Sequence, residues 1–365
     1  MSHAHSPVGG RRARRQQRRK APSRGRRMRR GILLGLVAAV LAGGGTAWWL
    51  YEGLDSNLED RAVDLDRALG DEKNRPKREE AAGDAMNLLV LGSDTRAGDN
   101  AALDGAAVSG ARSDTTLLVH ITGGRTEAVA VSIPRDTLVT RPECTRDDGT
   151  VAPGRERTMF NSVYAEFGPA CTAKTVEQMS DVRVDHLIEV DFAGFKDIVD
   201  AIGGVTVTVD EPVRDSSAGL DLQAGPNRLN GTESLAFVRA RKGIGDGSDL
   251  GRIGRQQQFL VALLSEIKKQ DLLGSPTKTY RIADELTEAL TTDSTLASLT
   301  ALAEFGQSMQ GIDPSSMDTI MLPVEYDKTD PNRVVAAEPQ AADLWEAIRT
   351  DSEIPESVRK PPATG

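Results

Sequence analysis

The sequence predicts an α/β protein built around a mixed central sheet, and three observations predict it. Short apolar runs rich in β-formers alternate with longer stretches of helical periodicity, the pattern of layered α/β folds. The runs end at Gly, Pro and Asp, as strands do before turns. Of the 365 residues, 39% are hydrophobic and 27% charged, the composition of a folded chain rather than a disordered one.

The elements follow in order. Asn87 to Leu91 (NLLVL) is an apolar run stopped by Gly92-Ser93-Asp94 and reads as a buried strand. Thr115 to Thr122 (TTLLVHIT) reads as a second strand, Gly123-Gly124 as a turn, and Glu127 to Ile133 (EAVAVSI) as a third strand ended by Pro134. Strands two and three form a hairpin. Segment 175–203 carries helical patterns and stops at Gly203-Gly204. Val205 to Val209 alternates as a strand, and Asn230-Gly231 opens a short helix with Leu235, Ala236, Phe237 and Val238. Asp249 to Leu273 reads as a long amphipathic helix. A helix over about 294–310, a strand from Thr319 to Leu322 and a helix near 338–349 complete a domain expected over 86–350. The tail 351–365, with Pro355, Pro361 and Pro362, reads as disordered, and no further carboxy-terminal domain is expected.

The net charge of −9 hides a split. Residues 1–30 hold twelve Arg and Lys and no acid, leaving 33 of the 45 cations against all 54 anions, a net of −21 for the rest. An uncharged stretch, Gly31 to Tyr51, follows the basic run. As a helix it would span about 31 Å, the thickness of a hydrocarbon core. Trp48, Trp49 and Tyr51 close it as an interfacial aromatic belt does. Cations before it and acids after it (Glu52, Asp55, Glu59, Asp60) keep the amino terminus in the cytoplasm and send the body outside. The alternative is a cleaved signal peptide, whose apolar core would run to roughly 7–15 residues. Nucleic-acid binding by the basic run is not expected, since the run has no stacking aromatic and abuts the span. Residues 52–85, with Pro76 and Lys77-Arg78-Glu79-Glu80, read as an extracytoplasmic stalk with some helix. Outside the membrane Cys144 and Cys171 can form a disulfide, the alternative being two buried thiols.

Charged motifs fall at strand ends. Asp94 and Arg96 follow the first strand (GSDTR), Arg112 and Asp114 precede the second (RSDTT), and Arg135 and Asp136 follow the third (IPRD). A hairpin sets Asp114 beside Arg135, and Asp94 joins them if the first strand runs parallel to the third. Downstream, Arg239 and Arg241 lie in VRARK, and Arg252, Arg255 and Gln256 share one face of the long helix at its amino end. Its apolar arc (Ile253, Leu260, Leu263, Leu264, Ile267) begins beside that patch, which suits an amphiphile with an anionic head. Several Arg with two or more Asp fit phosphate and a hard metal: guanidinium grips phosphate oxygens bidentately, and aspartate holds Mg²⁺. Two Cys and four His leave no zinc framework and argue against a Ser-His-Asp hydrolase; His120 and His186 read as structural. Taken singly, each Arg/Asp pair is better explained as a surface ion pair; four clusters converging on one edge are less easily explained so.

At these residues the sequence resembles the LytR-CpsA-Psr (LCP) family of bacterial envelope proteins. The matching stretches are NLLVLGSDTR, RSDTTLLVHI, VSIPRDTLV, VDHLIEVDFAGF, IGGV, LNGTESLAFVRARK and DLGRIGRQQQFL, in order across roughly residues 87–263. The resemblance implies a three-layer α/β/α sandwich with an apolar lipid pocket, preceded by one transmembrane helix. It implies a membrane-anchored phosphotransferase. Such an enzyme takes a glycopolymer from a polyprenyl (undecaprenyl- or decaprenyl-type) diphosphate and attaches its sugar-1-phosphate to the C6 hydroxyl of N-acetylmuramic acid in peptidoglycan. Polyprenyl phosphate is released, and pyrophosphatase activity appears when no acceptor is present. By matched motif, Asp94 and Asp114 would hold Mg²⁺ (or Mn²⁺), and Arg112, Arg135, Arg239, Arg241, Arg252 and Gln256 would grip the diphosphate, with Arg255 beside them. Asp249 or a metal-bound aspartate would take the acceptor proton. Where some members place a further Arg, four residues after Arg135, this chain has Val139, with Arg141 the nearest substitute. The basic, Gly-rich, Trp-poor style resembles actinobacterial members, for which arabinogalactan or a teichoic-like polymer would be cargo. The alternative function is a non-catalytic polyprenyl-phosphate-binding protein, or an envelope regulator acting through the basic tail.

Overall fold

The computed structural model describes residues 51–94, 113–146, 148–216, 219–240, 249–269 and 276–359. The expected membrane span and basic head therefore lie outside the described residues, apart from Tyr51. Among the described residues no helix is long and apolar enough to cross a membrane.

Six strands form the central sheet: β1 (Met86–Ser93), β2 (Ser113–Ile121), β3 (Ala128–Ser132), β4 (His186–Asp191), β5 (Leu290–Thr292) and β6 (Asp318–Met321). Their spatial order is β5-β4-β1-β2-β3-β6. The sheet is mixed. β1 runs antiparallel to β2, and β2 to β3, while β4 is parallel to β1 and β6 parallel to β3. β5 closes one edge antiparallel to β4.

Strand alternation sends successive side chains to opposite faces. Leu89, Leu91, Leu118, Val131 and Leu187 form one buried cluster with residues of helices α1 (Phe160–Ser180) and α7 (Gln340–Arg349). On the other face Ile121, Ala128 and Ala130 pack with Leu260, Val261 and Leu264 of α4 (Asp249–Lys268). A further cluster joins α2 (Phe192–Ala201), α3 (Gly231–Arg239), α4 and α5 (Pro276–Ala289) to the paired strands Val205–Val209 and Gly225–Leu229. Close backbone approach explains two motif glycines. A methyl at Gly194 would sit 2.5 Å from the Ala289 Cβ, and one at Gly231 would sit 2.4 Å from the Lys196 carbonyl oxygen.

Three expectations change. Segment 175–203 is not continuous helix: β4 interrupts it, and Asp191 both ends β4 and caps α2 by accepting from Gly194 N–H at 2.8 Å. Residues 53–85 are packed on the body rather than standing off as a stalk. Leu54, Leu58, Leu65 and Leu69 are buried, Val63 bridges to Asp293, and Arg75 forms a buried ion pair with Glu177 at 2.8 Å. Residues 351–359, expected disordered, are also seated: Ile354 and Val358 are buried and Arg359 meets Asp318 at 2.5 Å. Apolar anchors spaced through both segments account for the difference. Cys144 and Cys171 are joined as a disulfide, their Cα atoms 5.8 Å apart, and enclosed with Val163 and Phe167.

His120 and His186 do structural work. His120 is buried between Asn87 (2.8 Å) and Asp351 (3.0 Å), and His186 contacts Asp293 at 3.2 Å with α6 (Leu299–Ser308) supplying Phe305 against its ring.

Candidate active site

One edge of the sheet collects the predicted residues. β1 leaves the sheet at Ser93 and Asp94, and Ser93 pairs with Ser113 of β2 and with Asp191 of β4. Between Gly92 and Ser93 the register shifts by one residue, which leaves Asp114 of β2 as the unpaired extra residue, a device common beside functional sites. β3 leaves after Ser132, where Ile133 N–H still bonds the Thr116 carbonyl at 2.9 Å, so Arg135 emerges next to the start of β2. With two antiparallel steps between them, β1 and β3 run the same way, which is the condition for Asp94 to share that edge. The backbones of Asp94, Asp114 and Arg135 therefore converge; the side chain of Asp114 lies outside the described residues. Asp94 and Arg135 are half-buried. Arg135 Nε lies 3.5 Å from the Asp136 carboxylate, which Arg333 also engages at 3.0 Å.

The second group arrives on helices. A capping box fixes the start of α3: Asn230 accepts from Glu233 N–H at 2.9 Å and Glu233 accepts from Asn230 N–H at 2.9 Å. Its far end carries Arg239, whose guanidinium lies 4.9 Å over the ring of Phe192, the first residue after β4. Arg239 thus stands at the same edge as Asp191. On α4, Arg255 donates to the Ala240 carbonyl and Gln256 to the Val238 carbonyl at 3.4 Å. Gln257 donates to Ser132 Oγ at 3.1 Å, tying the start of α4 to the end of β3. Arg252 stands one turn before Gln256. Arg252 and Arg255 are each only 4% exposed. Burial lowers the affinity of the Arg255 guanidinium for its proton, and Asp215 opposes that. A guanidinium nonetheless keeps its charge in a protein.

Sequence reasoning missed what supports this edge. Tyr164 of α1 donates to the Glu189 carboxylate of β4, both buried beneath Ser93. Burial first, then the Glu189 charge, push the Tyr164 hydroxyl far above its ordinary range, so it remains a donor. Arg141 does not replace the missing Arg at Val139: it is buried, donates to the Pro142 (2.8 Å) and Pro153 (2.5 Å) carbonyls, and stacks 4.3 Å from the Phe167 ring. Arg112 and Arg241 lie outside the described residues, as does the side chain of Asp249, the first residue of α4. A cavity of about 500 Å³, lined by Arg78, Asp84, Met86 and Arg125 among others, opens at the opposite edge and holds none of the predicted residues.

Among the described residues no group of three or more His, Cys, Asp and Glu could hold a metal. The donor chemistry of the edge still suits Mg²⁺, which takes one or two carboxylates and completes its shell with phosphate oxygens and water.

The LytR_cpsA_psr family matches residues 54–350, most of the chain. The chain belongs to that family. The match includes the packed segment before β1. Among curated relatives, the polyisoprenyl-teichoic acid--peptidoglycan teichoic acid transferase TagT of Bacillus subtilis is 33% identical over 244 residues, covering 65% of this chain and 70% of its own length. The transferase TagU of Halalkalibacterium halodurans is 30% identical over 264 residues, covering 72% and 78%. Among solved structures, TagT bound to LI-WTA aligns with a TM-score of 0.58 at 26% identity, over 79% of this chain and 98% of that one. Family members of known structure thus share the mixed α/β architecture.

Proposed function

We propose that this chain is a membrane-anchored phosphotransferase that moves a glycopolymer, as its sugar-1-phosphate, from a polyprenyl diphosphate to the C6 hydroxyl of N-acetylmuramic acid in peptidoglycan. The observation that carries the reading is the meeting of two strand ends, bearing Asp94 and Arg135, with the Arg-bearing ends of α3 and α4 at one sheet edge. The transferase names of its relatives support the reaction class.

In the reaction the C6 oxygen bonds to the sugar-linked phosphorus. The bond from that phosphorus to the bridging oxygen breaks, and polyprenyl phosphate leaves with that oxygen. Arg135, Arg239, Arg252 and Arg255 offset the charge that builds on the phosphate oxygens, with Arg112, Arg241 and Gln256 as further contacts. Asp94 and Asp114 would hold Mg²⁺ or Mn²⁺, which when bound neutralises phosphate charge. Asp249 or Asp94 would take the hydroxyl proton. Behind its Arg end α4 carries apolar residues, of which Ile267 is exposed, and these would give the lipid an apolar neighbour. Gly31 to Tyr51 would anchor the chain, with residues 1–30 in the cytoplasm and the body outside.

The test uses the full chain in detergent with a lipid-diphosphate glycan and peptidoglycan. The expected result is an acid-labile phosphodiester between glycan and muramic acid, lost with a chelator and restored by Mg²⁺. Tight lipid binding without turnover would instead favour a non-catalytic carrier-binding protein. A reporter fused after Gly365 and active only outside the membrane tests the orientation.

A further inference from the structure

Tyr326 is 61% exposed, the most exposed large apolar side chain among the described residues. It lies in a hairpin, Val324–Tyr326 with Val334–Ala336, that follows β6. Met321 of β6 pairs in parallel with Ser132 of β3, so the chain continues past the same edge at which Arg135 leaves the sheet. Tyr326 pairs with Val334, whose N–H bonds the Asp136 carbonyl at 3.3 Å and which also bridges Thr137. Two strand spacings, about 9.5 Å, thus separate the Tyr326 backbone from the residue after Arg135. Directly opposed residues of an antiparallel pair share a face. Val334 on that face is buried and Tyr326 is not, so the ring overhangs the rim of the core instead of filling it.

The hairpin is held firmly. One oxygen of Asp327 accepts from Arg157 (2.9 Å), from Thr329 N–H (3.0 Å) and hydroxyl (2.6 Å), and from Asp330 N–H (2.8 Å). These bonds, the Arg157 guanidinium first, keep its carboxyl far below the usual carboxylate range. Arg333 ties the returning strand to Asp136 at 3.0 Å. A prearranged aromatic face gives contact area at low entropic cost.

We propose that Tyr326, with the exposed Lys328 and Asn332 of the same loop, is a pyranose-binding subsite for the acceptor glycan strand. The proposal rests on the transferase reading and adds where the acceptor docks. The phenol ring presents a flat apolar face to the C–H face of a sugar ring, while Lys328 and Asn332 meet its hydroxyl and carboxylate groups. The direction follows from in-line displacement, in which attacking and leaving groups lie on opposite sides of phosphorus. Arg239 lies over Phe192, the first residue after β4, which makes that the side suited to the leaving phosphate. Tyr326 flanks the β3–β6 side, left for the attacking hydroxyl.

The experiment is isothermal titration of the full chain in detergent with a tetrasaccharide of alternating N-acetylglucosamine and N-acetylmuramic acid, for wild type, Tyr326→Ala and Tyr326→Trp. Tyr326→Ala should weaken binding about tenfold, the scale of one aromatic contact, and Tyr326→Trp should restore it. Equal affinities for wild type and Tyr326→Ala, or no binding by wild type, would overturn the proposal. So would a Tyr326→Ala defect confined to the lipid-linked donor glycan. Wild-type cleavage of the lipid diphosphate, measured separately, reports on the transferase reading, so failure of either is seen apart from the other.

Discussion

Asp293, just past β5, shows how one carboxylate can tie an edge strand to its neighbours. It accepts from Leu187 N–H at 3.0 Å, Thr295 N–H at 2.9 Å and the Thr295 hydroxyl, and it contacts His186. Burial alone would raise its pKa, but the bonds from His186, Thr295 and Leu187 outweigh burial and hold it below the ordinary 3.8. A depressed carboxylate stabilises the fold above its unfolded pKa and loses that contribution as pH falls through the folded one. Asp293→Asn should therefore cost about 1–3 kcal/mol near neutral pH, and the deficit should shrink below pH 3.8. Urea midpoints at pH 7 and about pH 3 check it; a deficit that grows in acid contradicts it. At this scale the sequence shows residue types at the ends of strands and of a short helix, and so the placing of Asp94, Arg135 and Arg239 was legible. Which carbonyl Arg255 reaches, and that Arg141 turns to Pro142 and Pro153, depends on contacts far apart in the chain and leaves no local pattern.

Among the elements, strands β1 to β3 were read correctly because each is a short apolar run closed by a breaker. β4 was not, because Asp191 is at once its last residue and the cap of α2, so no turn residue separates strand from helix. Segment 53–85 was misread for another reason. Its charge suggested solvent, yet Arg75 is buried, donating to Glu177 at 2.8 Å and to the Val184 carbonyl at 2.6 Å. Arg75→Ala would leave Glu177 buried without its counter-charge and should destabilise by about 3–5 kcal/mol. A urea midpoint within error of wild type would show that the segment does not clamp the body. α1 bends at Gly168 (φ 71°), next to Pro169, and the disulfide from Cys171 pins the part beyond to the strand at Cys144. Cys144→Ser should cost about 3 kcal/mol in the chain-entropy account of a loop this long. Equal midpoints with and without reductant would refute that.

For the whole molecule, the mixed sheet was legible as an alternation of patterns, while the expected membrane address, charge followed by an uncharged run, lies outside the described residues. The convergence of four charged clusters was only conditional in the sequence. It required β1 and β3 to run the same way, and it required the end of α3 and the start of α4 to reach that edge, as the contacts of Arg239 with Phe192 and of Gln257 with Ser132 show. Phosphate transfer at this edge can be measured directly. The most direct measurement compares glycan transfer to peptidoglycan by the full chain in Mg²⁺ with that of Arg135→Ala and Asp94→Ala, each checked for an unchanged melting curve. Both variants are predicted to fall at least about a hundredfold, as when a charge-stabilising group is removed from a reaction centre. Turnover by both at the wild-type rate would place the chemistry elsewhere.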